Sequence, residues 1–238
     1  MRVAALYDVH GNLPALDAVL AELERAGVDR IVSGGDIAYG PMAAECVDAL
    51  RALGERVVWV RGNADRAAFP EAMKESSEAW LAEQLGPDRR AFAEGAPLTA
   101  ELEVDGLGRV LFCHGSPRSD EEILTRISPE ERFTAALEGV AADVVVCGHT
   151  HVQYDRRAAG RRIVNAGSVG MPYEGRRGAF WALLGPDVEL RHTEYDVESA
   201  ASAIRTTGYP QAEEHAGWLL DPPDPGETSA FFEERAGA

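Results

Sequence analysis

Seven side chains able to hold a metal ion or move a proton stand just beyond the ends of short apolar runs. They are Asp8 and His10, Asp36, Asn63, His114, and His149 with His151. Four of the six histidines of the chain fall in this group, in glycine-flanked turns, and a scaffold has no structural reason to gather so many imidazoles along one edge. Asp8 and His10, like His149 and His151, are two residues apart. On an extended backbone such side chains point the same way, so each pair would present two ligands to one side. Mixed nitrogen and oxygen donors without a thiolate suit Mn, Fe, Zn, Ni or Co better than Ca or Mg, and they do not make a structural zinc clip. Alternation turns Cys113 away from the face of His114. Cys46, Cys113 and Cys147 therefore read as reduced core thiols.

The elements that would position these groups follow from the hydrophobic pattern. Val3 to Tyr7 is a strand; Leu13, Leu16, Val19, Leu20 and Leu23 recur at helical spacing, and Gly27 closes that helix. Ile31-Val32 is a second strand, a helix spans roughly Ala43 to Leu53, and Val57 to Val60 is a third strand. This alternation predicts right-handed crossovers and a largely parallel sheet, whose ligands would bind beyond the carboxyl ends of the strands. Residues 65–94 are charged, Ala-rich and helix-prone, and read as a cap over the sheet. Leu98 to Val104 and Arg109 to Cys113 form a hairpin about Asp105-Gly106-Leu107-Gly108. A helix around Pro129 to Val140 leads into the strand Val144 to Cys147. The runs Val152 to Arg157, Arg162 to Asn165, Ala179 to Leu184 and Val188 to Tyr195 look antiparallel, and a helix follows from about Val197 to Thr207. The expected organisation is one domain over residues 1–220, with the helical cap at about 65–95, and a flexible acidic tail over 221–238.

The chain has 238 residues, 45% of them hydrophobic, enough to bury a sizeable core. A net charge of −17 argues against broad nucleic-acid or anionic-membrane binding, since both need a basic surface. No apolar run approaches the ~20 residues that span a bilayer, and the N-terminus reads as a first strand rather than a signal peptide. The expectation is a cytoplasmic protein.

The ordered blocks DVHGN, GGD, GNAD, FCHGS and GHTH resemble the calcineurin-like metallophosphoesterase superfamily, and Asn165 to Gly170 resembles the Asn-x-Gly-Ser loop of its small bacterial and archaeal branch. The resemblance implies an α/β fold, a four-layer α/β/β/α sandwich with a helical cap insert. It also implies two divalent transition metals, manganese first, with iron, nickel, zinc or cobalt as alternatives. One would be held by Asp8, His10, Asp36 and His151, the other by Asp36, Asn63, His114 and His149, with Asp36 as the bridge. Two cations and two aspartates leave the site at a charge of about +2, which attracts phosphate and lowers the pKa of a bridging water.

In most of that superfamily a histidine follows the motif asparagine; here the stretch reads Arg61-Gly62-Asn63-Ala64-Asp65. Losing a general acid removes most where the leaving group is a basic alkoxide. The expected activity is therefore metal-dependent hydrolysis, by activated water, of a phosphodiester or phosphoanhydride of a small, nucleotide-like substrate. A phosphoprotein phosphatase and a non-catalytic scaffold are the alternatives. Four further residues have two readings each. Arg61 contacts phosphate or is a solvated strand-end cation. Asp65 orients a ligand or caps a helix. Asn12 binds phosphate or caps the helix beginning near Leu13. Tyr39 stacks on a base or packs in its turn. His192 reads as a surface histidine, and His215 with Trp218 as packing. Beyond a phosphorylated small molecule, no partner and no oligomeric state follow from the sequence.

Overall fold

The computed structural model describes residues 1–67 and 77–236; the part of the expected cap at 68–76 lies outside the described residues. Two five-stranded sheets stack face to face. The first has the order β10-β9-β1-β2-β3, built from β1 (Val3–Leu6), β2 (Arg30–Ser33), β3 (Val57–Trp59), β9 (Ala179–Leu184) and β10 (Val188–Thr193). The second has the order β4-β5-β6-β8-β7, built from β4 (Thr99–Val104), β5 (Gly108–Cys113), β6 (Val144–Cys147), β7 (Tyr154–Ala158) and β8 (Arg161–Asn165). β1, β2 and β3 run parallel, as do β5, β6 and β8. The parallel pairing of β8 with β6 departs from the antiparallel expectation for this stretch.

Strand alternation accounts for the layering. Val3, Ala5 and Tyr7 point between the sheets, where they meet Val110, Phe112, Val144 and Val146. Ala4 and Leu6 point outward, beneath α1 (Leu13–Ala26), α2 (Ala43–Arg51) and α4 (Ser77–Glu94). On the other side Leu111, Cys113, Val145 and Cys147 pack under Phe133 and Ala136 of α5 (Glu130–Ala136). Strands buried on both faces need no polar alternation, which is why β1 and β6 read as unbroken apolar runs. The order helix, sheet, sheet, helix is the expected four-layer sandwich. The three cysteines are free and buried, and burial pushes the Cys46 and Cys113 thiols well up. Among the described residues no helix is long and apolar enough to cross a membrane.

The described part of the expected cap is helical and lies over the first sheet, as expected, whereas the expected tail settles differently from its composition. α4 bends at Gly86 (φ 66°) and lies over the first sheet, where Leu81 and Leu85, one turn apart, are fully buried in the core it shares with α2. Arg89 fixes the same contact by donating to both oxygens of Asp48, at 2.8 and 2.5 Å. An apolar pair at that spacing has to be covered, so this segment flanks the sheet and contributes no described residue to the site cavity. Residues 221–238, expected as a flexible tail, contain instead the helix α8 (Pro225–Ala236). Asp224 caps it by accepting from Gly226 and Glu227 amides (2.7 and 3.0 Å), Pro225 opens it, and Glu227 stands in its first turn. These are helix-start signals, and they outweigh the Pro- and acid-rich composition that suggested disorder. Glu233 then docks the helix on Thr125 and Arg132 (2.7 and 2.8 Å).

Helices α6 (Val197–Arg205) and α7 (Ala212–Leu220) pair beside the first sheet, and they bury His215 with no hydrogen-bond partner for its Nε2 among the described residues. Burial pushes His215 down to about 3. The folded state then leaves it neutral where the unfolded chain, at its ordinary value of about 6.5, takes up a proton. The stability this contributes is complete above pH 6.5 and is lost as pH falls toward 3, at about 1.4 kcal/mol per pH unit. Urea unfolding of the metal-free protein and of His215→Leu at pH 6.5 and 5 is expected to show a pH slope shallower by about one proton in the variant.

Candidate active site

Every one of the seven candidate ligands sits just past the carboxyl end of a parallel strand: Asp8 and His10 after β1, Asp36 after β2, Asn63 after β3, His114 after β5, His149 and His151 after β6. The two sheets therefore deliver them to a common edge. The means of convergence is not strand alternation. Asp8, His10, Asp36, His149 and His151 have φ of 53°, 44°, 56°, 67° and 57°, and they are five of the six non-glycine residues with positive φ among the described residues. Left-handed backbone costs an ordinary residue on the order of 1–3 kcal/mol and gathers at functional sites, where the surroundings enforce it. Here the turns enforce one another: Asp8 N–H donates to Gly35 O (3.1 Å), His10 N–H to Asp36 O (2.9 Å) and Gly148 N–H to His114 O (2.9 Å).

The Gly62-Asn63 pair also works otherwise than as a positive-φ turn. Neither residue has positive φ, and Asn63 opens the short helix α3 (Asn63–Ala67). Gly62 is needed for close approach, because a Cβ there would lie 2.1 Å from Asp36 Oδ1. Gly35, at φ 105°, has no room either: a Cβ would meet the Gly62 amide nitrogen at 2.6 Å and His114 Nδ1 at 2.7 Å.

Two groups of ligand atoms result, Asp8 with His10 and His151, and Asp8 with Asp36 and His114. In the first, His151 Nε2 is 3.2 Å from Asp8 Oδ1 and 3.1 Å from His10 Nε2. In the second, His114 Nε2 is 3.4 Å from Asp36 Oδ2, 3.7 Å from Asp8 Oδ1 and 3.0 Å from Asn63 Oδ1. Asp36 Oδ2 is also 3.7 Å from His10 Nε2, so it stands between the two groups, while its Oδ1 accepts from Ala64 N–H at 2.8 Å. Asp8 reaches both groups as well, a shared role that the resemblance gives to Asp36 alone. His149 belongs to neither group of close atoms. Its ring lies 5.2 Å from that of His114 and lines the cavity in front of them.

Hydrogen bonding behind the cluster argues for a cation within it. His151 Nδ1 donates to Met171 O (2.6 Å) and His114 Nδ1 to Gly34 O (2.9 Å). Each ring therefore turns Nε2 toward carboxylate or amide oxygens, the arrangement found behind metal-binding histidines. Asp8 Oδ1 is completely buried and has no hydrogen-bond partner among the described residues, which is costly unless a positive charge faces it. Burial opposes charge on His114, yet Asp36 and Asp8 raise it to about 10. A proton and a metal ion compete for the same place. Burial and neighbouring His114 lower His149 to about 4, so it is neutral and able to ligate. Donor types, converging lone pairs and an orphaned carboxylate oxygen all fit divalent metal.

The remaining candidates separate clearly. Asp65 is buried and accepts four backbone N–H groups: Asp36 and Gly62 on Oδ2 (both 2.9 Å), Ile37 and Ala38 on Oδ1 (3.0 and 2.9 Å). It clamps the loop carrying Asp36 against the loop carrying Asn63. Burial and the Asp36 charge lift it to about 6 against the pull of those donors. Asp65→Asn turns an NH2 toward two of the N–H groups and is expected to destabilise the fold by about 3 kcal/mol; thermal unfolding and manganese affinity, both lowered, check this. Asn12 is a cap and not a phosphate ligand: Oδ1 accepts from Ala15 N–H (3.2 Å), while Nδ2 donates to Gly170 O and Tyr195 Oη (both 3.0 Å). Arg61 does not line the cavity and is paired with Asp120, with Nε 3.4 Å from Oδ2, so it does not join the catalytic group expected of it. Tyr39 does line the cavity, edge-on to His10 at 6.2 Å. His192 is held on Arg177 O (2.9 Å), away from the site.

The cavity, about 350 Å³, is completed by Ala64 and by three residues that the motifs did not single out, Met171, Tyr173 and Phe232. Tyr173 stacks on His151 at 4.7 Å and Phe232 lies 6.2 Å from His149. Asn165 and Ser168 hold the ligand loops from behind: Asn165 Nδ2 donates to Gly148 O (2.7 Å) and Ser168 Oγ to Asp8 O (2.7 Å). The Asn-x-Gly-Ser pattern marked these two; only the isolated aromatic pair Phe231-Phe232 hinted at Phe232.

The family model described as calcineurin-like phosphoesterase superfamily domain matches residues 1–184. The chain is 26% identical to the protein MJ0912 of Methanocaldococcus jannaschii, over 88% of this chain and 94% of that one. Its structure is similar to a metallophosphoesterase from Sphaerobacter thermophilus, at 30% identity and a TM-score of 0.75, covering 93% of this chain and 99% of the other. The protein PH1004 from Pyrococcus horikoshii shares the fold at 22% identity and a TM-score of 0.78, covering 94% and 99%. With this match across most of its length, and with the ligand groups at the edge where its motifs lie, the chain belongs to the calcineurin-like phosphoesterase superfamily and is a metal-dependent phosphoester hydrolase.

Proposed function

We propose that the enzyme holds two divalent transition metals, manganese first, and hydrolyses a phosphodiester or phosphoanhydride of a small substrate in the cytoplasm. Asp8, His10, Asp36 and His151 would hold one ion, and Asp36, Asn63, His114 and His149 the other. The observation that carries this is Asp8 Oδ1, buried, without a hydrogen-bond partner among the described residues and faced by the imidazoles of His10, His114 and His151. When bound, such ions supply Lewis acidity toward phosphoryl oxygens and a nucleophilic water at neutral pH.

The protein's own groups do the rest. Asp8 and Asp36 offset part of the cationic charge, and neutral Asn63 adds a donor without offsetting more. Asp65 fixes the backbone of Asp36 and Gly62, so the two halves of the site keep their spacing. Ala64 presents no proton donor to the cavity it lines, so the departing oxygen receives none from this position. A cavity of about 350 Å³ walled by Tyr39, Tyr173 and Phe232 supports a small substrate over a phosphorylated protein side chain. The expected result is manganese-stimulated hydrolysis of bis(p-nitrophenyl) phosphate by protein first stripped with chelator, with stripped protein inactive. Equal activity without metal would overturn the reading.

A further inference from the structure

A second cavity, about 530 Å³, adjoins the metal-ligand cavity and shares two of its walls, Tyr173 and Phe232. Its other lining is Trp218, Pro223, Glu227, Thr228, Phe231 and Arg235. Four aromatic rings and a proline with a guanidinium, a carboxylate and a hydroxyl around a space of this size are the make-up of a small-molecule site, about 300–1,000 Å³ in typical cases. The shared walls are also the ring neighbours of two candidate metal ligands, Tyr173 on His151 and Phe232 beside His149. A molecule whose phosphorus sits at the metal ligands therefore has the second cavity directly beside it. Arg235 stands 5.5 Å from the Phe231 ring centre, placing positive charge on a wall of an otherwise acidic protein.

We propose that this second cavity is a base subsite: it takes the planar nucleobase of a nucleotide-like substrate, with Trp218 and Phe231 as stacking surfaces and Arg235 beside them. This rests on the phosphoesterase reading of the adjacent centre and adds the chemical class of the group attached to the phosphorus. Stacking suits the site because every base offers a π-face to an aromatic ring and to a guanidinium. It also gives α8 a purpose. Docking through Glu233 brings Phe231, Phe232 and Arg235 to the cavity, so substrate selection depends on the segment whose composition reads as a tail.

The test compares two ligands that differ only in the base, AMP and ribose 5-phosphate, by calorimetric binding to the manganese-loaded protein. AMP is expected to bind at least about tenfold more tightly, from base–aromatic stacking. Trp218→Ala is expected to remove most of that preference and Trp218→Phe to keep it, with unchanged thermal unfolding showing that both variants fold. Equal affinity for the two ligands in the wild-type protein, or a preference untouched by Trp218→Ala and by a second variant, Phe231→Ala, would overturn the subsite. A preference for p-nitrophenyl phosphate over AMP would overturn the assignment to a nucleobase in favour of a plain aryl group. Because binding is read without turnover, failure of the hydrolysis test together with a persistent AMP preference would reject the catalytic reading and leave the subsite standing.

Discussion

Asp36→Asn is expected to weaken manganese binding by about 10²–10⁴-fold and to abolish measurable phosphodiester hydrolysis. Asp36 Oδ2 stands between His10 and His114, near ligands assigned to both metals. Removing one partner of a buried charge pair costs about 3–5 kcal/mol, because the other charge is left uncompensated, and each 1.4 kcal/mol is tenfold in affinity. The amide keeps the shape of the side chain and can still accept from Ala64 N–H through Oδ1. The four backbone bonds to Asp65 are untouched, so the variant is expected to fold. Calorimetric metal binding and hydrolysis of bis(p-nitrophenyl) phosphate, with circular dichroism as the folding control, measure the outcome. A folded variant that retains wild-type affinity would show that Asp36 is not a shared ligand.

The second large effect concerns the leaving group. Ala64 lines the cavity where a proton donor would serve, and its methyl group supplies none. General acid catalysis is worth ~10²–10⁴ in rate, so its absence should fall most heavily on esters that expel a basic alkoxide. Aryl phosphodiesters and dinucleoside polyphosphates are therefore expected to be hydrolysed at least about 10²-fold faster than glycerol phosphate. Ala64→His is expected to narrow that gap by raising the alkyl ester rate while changing the aryl rate little. The backbone N–H of residue 64, which holds Asp36, is retained in the variant. Turnover of glycerol phosphate as fast as the aryl diester by the wild-type enzyme would contradict this account of Ala64.

The strands were legible because they are buried on both faces, which makes them continuous apolar runs, and the ligands were legible because they follow those runs directly. What the residues alone could not reveal is how the ligands converge. Spacing suggested extended backbone at Asp8-Val9-His10 and His149-Thr150-His151, whereas both stretches are left-handed turns stabilised by contacts with other loops. Such contacts join residues far apart in sequence and leave no local pattern. The same holds for Asn12, whose two amide atoms find partners at Ala15, Gly170 and Tyr195, and for Arg61, drawn off by Asp120. The C-terminal helix was a different failure. Its Asp224-Pro225 start and Glu227 are local helix signals, and they outweigh the Pro- and acid-rich composition around them.

The central claim is that two divalent ions share this edge of the sandwich. Titrating chelator-stripped protein with manganese, while bound metal is counted by elemental analysis after gel filtration, tests it most directly. The account predicts saturation at two ions per chain, with phosphodiester hydrolysis reaching its maximum only at the second. Saturation at one ion per chain with full activity would contradict it.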